Sequence, residues 1–79
     1  MIRKEELLRR INEAIRTEES AISIYLENYS VVLERLGFDN ARCDRIRKAF
    51  QTLGEESKQH KKILETLQGR LEKEPRDVF

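Results

Sequence analysis

The sequence predicts an all-α fold, in which an antiparallel two-helix hairpin dimerises into a four-helix bundle. Charged residues make up 39% and hydrophobic residues 38% of the 79 residues, with only three glycines and one proline, which is typical of long, exposed helices. Apolar residues recur at alternating steps of three and four through two long segments, as one face of a helix requires. The short stretch GFDN, residues 37–40, separates these segments.

The first helix is predicted over about residues 3–36. Glu18 occupies the one position of its apolar series that is not apolar. Gly37 is expected to end the helix, because glycine readily adopts the left-handed conformation that follows a last helical turn. The apolar series consists of Leu8, Ile11, Ile15, Ile22, Tyr25, Tyr29, Val32 and Leu36.

The second helix is predicted over about residues 40–73. Asp39 or Asn40 can accept hydrogen bonds from its first backbone amides. Gly54, inside the helix, costs about 1 kcal/mol relative to alanine, and indicates either a close helix contact or a tolerated weak point. The apolar series is Ile46, Ala49, Phe50, Leu53, Ile63, Leu64, Leu67 and Leu71, and it is interrupted by Glu56, Ser57 and His60.

Residues 1–74 are therefore predicted to form a single helical-hairpin domain, followed by a C-terminal tail, residues 75–79. Pro75 is expected to stop the second helix, and residues 76–79 are expected to be loose. Each helix has an apolar face broad enough to contact two neighbours, so one hairpin leaves much of that face in water. A homodimer, or a higher homo-oligomer built from such dimers, would cover it.

Charge and hydropathy argue against two classes of partner. The 16 basic and 15 acidic residues are interspersed and give a net charge of +1, so no strongly basic surface is expected to bind nucleic acid. The longest nearly uncharged run, Ser20 to Leu33, is too short to span a bilayer, and the charged start resembles no signal peptide. We therefore expect a cytoplasmic protein without a membrane partner. The single cysteine, Cys43, receives no predicted role.

Three polar residues are predicted to meet between the two helices. A turn centred near residue 38 places Glu18 opposite position 58, between Glu56 and His60. Burying two carboxylates and an imidazole costs several kcal/mol unless they are compensated, and a divalent metal ion would do so. Glu18, Glu56 and His60 are therefore the candidate metal ligands. The alternative is a hydrogen-bonded carboxylate–histidine contact in a metal-free hairpin that acts as a self-association or protein-interaction module.

Two stretches resemble the halves of ferritin-like, rubrerythrin-like proteins. These are EESAISIYLENY, residues 18–29, and ESKQHKKILETL, residues 56–67. In that superfamily each half of a four-helix bundle supplies a glutamate from one helix and a Glu-x-x-His pair from the next, and the site holds two iron ions. The likeness covers about residues 11–71 and is similar to the encapsulated ferritins, whose two-helix chains assemble the site across a dimer interface.

The resemblance implies an iron site, or one for a similar divalent ion, with Fe(II) oxidation or peroxide handling as the activity. Glu18 matches the first-helix ligand, His60 the histidine and Tyr25 the nearby aromatic residue. The second-helix glutamate would fall at Ser57, whereas Glu56 stands one residue earlier, about 100° around the helix. Glu19 and Glu55 are spare carboxylates, which could support the ligands or replace one of them, or could simply be solvated. A role inside a larger assembly, or as cargo of a protein shell, also follows only from the resemblance.

Overall fold

A computed structural model describes residues 1–37 and 39–79, apart from the side chains of Ser30 and Val32. The described residues are almost entirely helical, and the all-α class is confirmed. Phe38, the predicted centre of the turn, lies outside the described residues. The helices are α1, Lys4–Ile22, then a π-helical turn, Ser23–Glu27, then α2, Tyr29–Leu36, and finally α3, Asn40–Lys73.

Local side chains account for the helix ends at the connection. Gly37 follows α2 with a φ of 64°, the left-handed conformation that glycine adopts without steric cost. Asp39 precedes α3, and its Oδ1 accepts a hydrogen bond from the backbone N–H of Arg42 at 2.8 Å. This bond satisfies one of the amides that the first turn of a helix leaves without a helical partner.

The π-helical turn interrupts the predicted first helix. The backbone N–H of Asn28 donates to the carbonyl of Ser23, five residues earlier, at 3.0 Å. A turn closed at this spacing contains one residue more than an α-helical turn, so later residues are rotated relative to the predicted face. Leu33 is consequently buried, at 5% exposure, whereas Leu36 is 54% exposed. Leu36, the last member of the predicted apolar series, is therefore turned toward solvent in the single chain.

The packing between α1 and α3 centres on a small apolar cluster. Ile11, Ile15 and Leu71 are buried in it, and none of the described side chains is completely buried. Because so few side chains leave water, a single chain gains limited hydrophobic stabilisation. The partly buried residues packed against this cluster are Leu7, Leu8, Leu64 and Phe79.

Residues 1–4 and 74–79 form a terminal clasp, in contrast to the loose tail predicted for residues 76–79. Ile2 and Phe79 exchange two backbone hydrogen bonds, of 2.9 and 2.8 Å, and the N–H of Lys4 donates to the carbonyl of Asp77 at 2.7 Å. The Lys4 Nζ also donates to the Glu74 carbonyl at 2.7 Å. These bonds, together with the packing of Phe79 on the apolar cluster, order the segment that follows Pro75.

The hydrogen bonds of the clasp also lower the pKa of Glu74. The backbone N–H of Arg76 donates to the carboxylate of Glu74, and so does its guanidinium. These bonds favour the charged carboxylate and hold the pKa of Glu74 below its ordinary value of 4.5. The guanidinium of Arg76 also lies 4.8 Å from the centre of the Phe79 ring.

The chain is long, thin and rich in exposed surface. Its radius of gyration is 17.3 Å, whereas a compact domain of this length would have about 12 Å. Its accessible surface is 6232 Å², against about 5,000 Å² for a typical folded monomer of this mass. The exposed large apolar residues on the helices are Ile24, Val31, Leu36, Leu53, Ile63 and Leu67.

Candidate functional site

Glu18 and His60 contact each other between α1 and α3. The Oε1 of Glu18 lies 3.5 Å from the Nδ1 of His60, a distance at the long limit of a hydrogen bond. The Glu18 side chain is 22% exposed, and that of His60 is 59% exposed. The pair therefore sits at the edge of the helix interface, with the imidazole partly open to solvent.

Small residues on α3 allow the two helices to come close beside this pair. Ser57, one turn before His60, is buried at 8% exposure, and Gly54 is buried one further turn away. A Cβ atom added to Gly54 would overlap Cγ and Cδ2 of Leu26 in the π-helical turn. Of the two explanations that the sequence allows for Gly54, a close helix contact or a tolerated weak point, the structure shows the close contact. The sequence pattern does not indicate the pairing of Gly54 with Leu26, because that pairing depends on the π-helical turn.

Glu56 stands apart from the Glu18–His60 pair within one chain. It is exposed and lines an open depression on the outer surface of α3, beside Thr52, Glu55 and Gln59. Within residues 1–37 and 39–79, no three or more histidine, cysteine, aspartate or glutamate side chains form a group that could hold a metal ion. The structure thus brings two of the three predicted ligands together.

Ser57 occupies the inward position that the resemblance assigns to a glutamate. Consecutive helical residues project about 100° apart, so Glu56 and Ser57 cannot both point at α1. The buried residue is Ser57, which carries a hydroxyl and no carboxylate. Of the spare carboxylates, Glu19 is exposed on α1, and Glu55 lies 3.6 Å from the Nζ of Lys58.

The two tyrosines make packing contacts nearer the connection between the helices. The rings of Tyr25 and Phe50 have centroids 5.5 Å apart and are tilted by 44°. The guanidinium of Arg47 lies 5.8 Å from the centre of the Tyr29 ring, a cation–π distance. These contacts give Tyr25 a structural role in holding the π-helical turn against α3.

The Glu18–His60 pair opens onto an apolar strip of α3, formed by Leu53, His60, Ile63 and Leu67. Leu53 and Leu67 each lie seven residues from His60, which is close to two helical turns, so the three side chains share a face. Leu53 is 41%, Leu67 48% and Ile63 65% exposed. The α3 strip thus places an imidazole among large apolar side chains that a single chain leaves in water.

Comparison with protein-family models, with curated proteins and with solved structures yields no match for the chain. The ferritin-like resemblance accordingly depends on the short motifs around Glu18 and His60. In the part of the chain that the structure describes, no helix is both long enough and apolar enough to cross a membrane.

Proposed function

We propose that this chain is an antiparallel helical hairpin that dimerises into a ferritin-like four-helix bundle and binds a divalent metal ion at the dimer interface. The observation that carries this proposal is the contact of Glu18 with His60, whose imidazole is 59% exposed beside Leu53 and Leu67. By resemblance the metal is iron, and the activity is oxidation of Fe(II) or a reaction with peroxide.

The order of contacts supports the hairpin. Residue 3 pairs with 78, residue 18 with 60 and residue 25 with 50, so the numbers rise along the first half of the chain as they fall along the second. The large exposed surface supports the dimer. A second hairpin laid on the α3 strip would remove its leucines from water and complete a four-helix bundle.

The donor atoms fit a metal ion only when two chains contribute. One chain offers one carboxylate and one imidazole, which is fewer than the four or more ligands that divalent ions usually take. Two chains related by a two-fold axis offer two carboxylates and two imidazoles, which are ordinary ligands for iron and zinc. Glu56 would join these ligands only after its side chain turned from the outer surface of α3.

Each residue of the proposed site has a separate role. The Glu18 carboxylate would balance the positive charge of the ion, and the imidazole of His60 would supply a nitrogen ligand. Ile63, one turn after His60, would exclude water beside these ligands once the second chain covers it, and Leu53 and Leu67 would do so two turns away on either side. A bound iron ion would supply the redox chemistry, as it does in the proteins that the motifs resemble.

Metal content tests the proposal directly. The chain is loaded with Fe(II) without oxygen, desalted and submitted to elemental analysis beside Glu18→Ala and His60→Ala. We expect about one or two ions per two chains in the wild type and only background metal in both variants. Glu65→Ala, which removes an exposed carboxylate of α3 that has no place in the proposed site, is the matched control and should retain the metal. Equal metal in wild type and His60→Ala would refute the site.

A metal-free self-association module is the second candidate, and a specific observation favours it. Ser57 stands at the inward position where the resemblance requires a glutamate, so the described pair has no third ligand beside it. In this case the Glu18–His60 contact only orients the helices. His60→Leu would then be tolerated or stabilising, and a chelator would leave the melting temperature unchanged. A clear fall in melting temperature on chelation would exclude this candidate.

A further inference from the structure

The two leucines of the α3 strip are placed symmetrically about His60. Leu53 lies seven residues before it and Leu67 seven residues after it, and both are exposed to a similar extent, 41% and 48%. We infer that α3 packs antiparallel against α3 of a second copy, with the two-fold axis at His60. Leu53 of each copy then contacts Leu67 of the other. This inference rests on the dimer proposed above and specifies its register.

The amount of exposed surface fits a second copy of the chain. The 6232 Å² surface exceeds that of a typical monomer of this mass by about 1,200 Å². A standard interface buries about 800 Å² on each partner, so the excess is enough for one. In a two-fold interface the same patch is present on both partners, so two leucines placed symmetrically about the axis meet each other.

Charge favours the antiparallel over the parallel arrangement. In a parallel pair each residue on or beside the α3 strip would meet the same residue of the other copy, so Glu56 would oppose Glu56 and Arg70 would oppose Arg70. In the antiparallel pair Glu56 comes level with Leu64 of the second copy. Opposed helix dipoles also favour this arrangement.

The register determines how the site is assembled. Because Glu18 contacts His60 within each chain, an axis at His60 brings the Glu18 carboxylates and the His60 imidazoles of both copies to one level along the bundle. The four donor groups then surround the axis. Moving the two-fold axis by one helical turn along α3 would separate the two imidazoles along the bundle by about 11 Å, twice the 5.4 Å rise of a turn.

A charge exchange across the strip tests the register. Leu53→Glu, Leu67→Lys and the double variant are compared with the wild type by sedimentation velocity over a range of concentrations. Each single variant sets a charge against a leucine of the other copy and should raise the dimer dissociation constant about tenfold or more. In the double variant the introduced carboxylate of each copy meets the introduced ammonium group of the other. These two attractive pairs should return the dissociation constant to within about threefold of the wild type.

The control variant and the fold are checked in the same experiment. Gln51→Glu places a carboxylate at an exposed position of α3 beside Arg47 and Glu55, away from the strip, and should leave dimerisation unchanged. Helix content from circular dichroism should match the wild type in every variant, because Leu53 and Leu67 are already partly exposed in the single chain.

The possible results separate the register from the proposed function. A double variant that dimerises more weakly than either single variant would indicate parallel pairing, and would overturn the inference while leaving the dimer intact. Single variants that dimerise like the wild type would show that the strip is not the interface. A wild type that stays monomeric at all concentrations would overturn both the register and the proposed dimer.

Discussion

Replacing Gly54 by alanine tests the close contact between α3 and the π-helical turn. Alanine is favoured over glycine inside a helix by about 1 kcal/mol. At position 54, however, the new Cβ would overlap the branch carbon of Leu26 and one of its methyl groups. Overpacking of this kind costs about 1–3 kcal/mol, and the branch carbon cannot move away by a simple rotation of the side-chain end. We expect Gly54→Ala to lower the free energy of unfolding by about 1 kcal/mol.

Gly69 provides the matched control in the same helix. A Cβ atom there meets nothing within 4 Å, so Gly69→Ala should gain about 1 kcal/mol from helix propensity alone. The two variants should then differ by about 2 kcal/mol, or roughly 8–16 °C in melting temperature for a domain of this size. Urea unfolding followed by circular dichroism measures the difference, at one chain concentration because the proposed dimerisation would contribute to stability.

A stabilising Gly54→Ala would refute the reasoning. If this variant gained as much stability as Gly69→Ala, the helices would not approach closely at residue 54. A second variant, Leu26→Ala combined with Gly54→Ala, separates the overlap from other effects. Because the shorter side chain leaves room for the new Cβ, the cost of Gly54→Ala should disappear in this background, and the two substitutions should not be additive.

Two further predictions address the π-helical turn and the terminal clasp. Leu33→Ala should lower the free energy of unfolding by about 2–4 kcal/mol, because Leu33 is 5% exposed, whereas Leu36→Ala should lower it by less than about 1 kcal/mol at 54% exposure. Urea unfolding that ranks the two variants in the opposite order would support an uninterrupted first helix instead of the π-helical turn. Phe79→Ala removes the aromatic packing of the clasp and should cost about 1–2 kcal/mol and speed hydrogen exchange at the amide of Lys4. Exchange at that amide that is already fast in the wild type would contradict the clasp.

The helix ends could be predicted because local chemistry determines them. Gly37 adopts its left-handed conformation and Asp39 caps α3, and neither depends on distant residues. The meeting of Glu18 with His60 could also be predicted, because a short connection between two regular helices relates positions on one to positions on the other. Both predictions use only local signals and the constant rise of a helix.

The features that escaped prediction depend on contacts between distant residues. The π-helical turn has the sequence SIYLE, which contains no helix breaker, and its packing against Gly54 is tertiary. The clasp uses backbone hydrogen bonds, which any side chain permits, and its apolar anchor, Phe79, is a single residue. Glu56 could not be placed from spacing alone, because either it or Ser57 could face α1, and the close approach of the helices favours the smaller side chain.

The π-helical turn also changes how the first half of the chain can tolerate changes in length. Inside a regular helix, an added or deleted residue rotates everything beyond it, which is why such changes are usually confined to loops. Here one surplus residue is already accommodated between Ser23 and Glu27 by a single hydrogen bond spanning five residues. Loss of one residue from that turn would restore the ordinary helical spacing, while α1 with Glu18 and α2 with Leu33 kept their faces toward α3. The segment can therefore tolerate a change in length, as a loop does, without turning Glu18 or Leu33 away from α3.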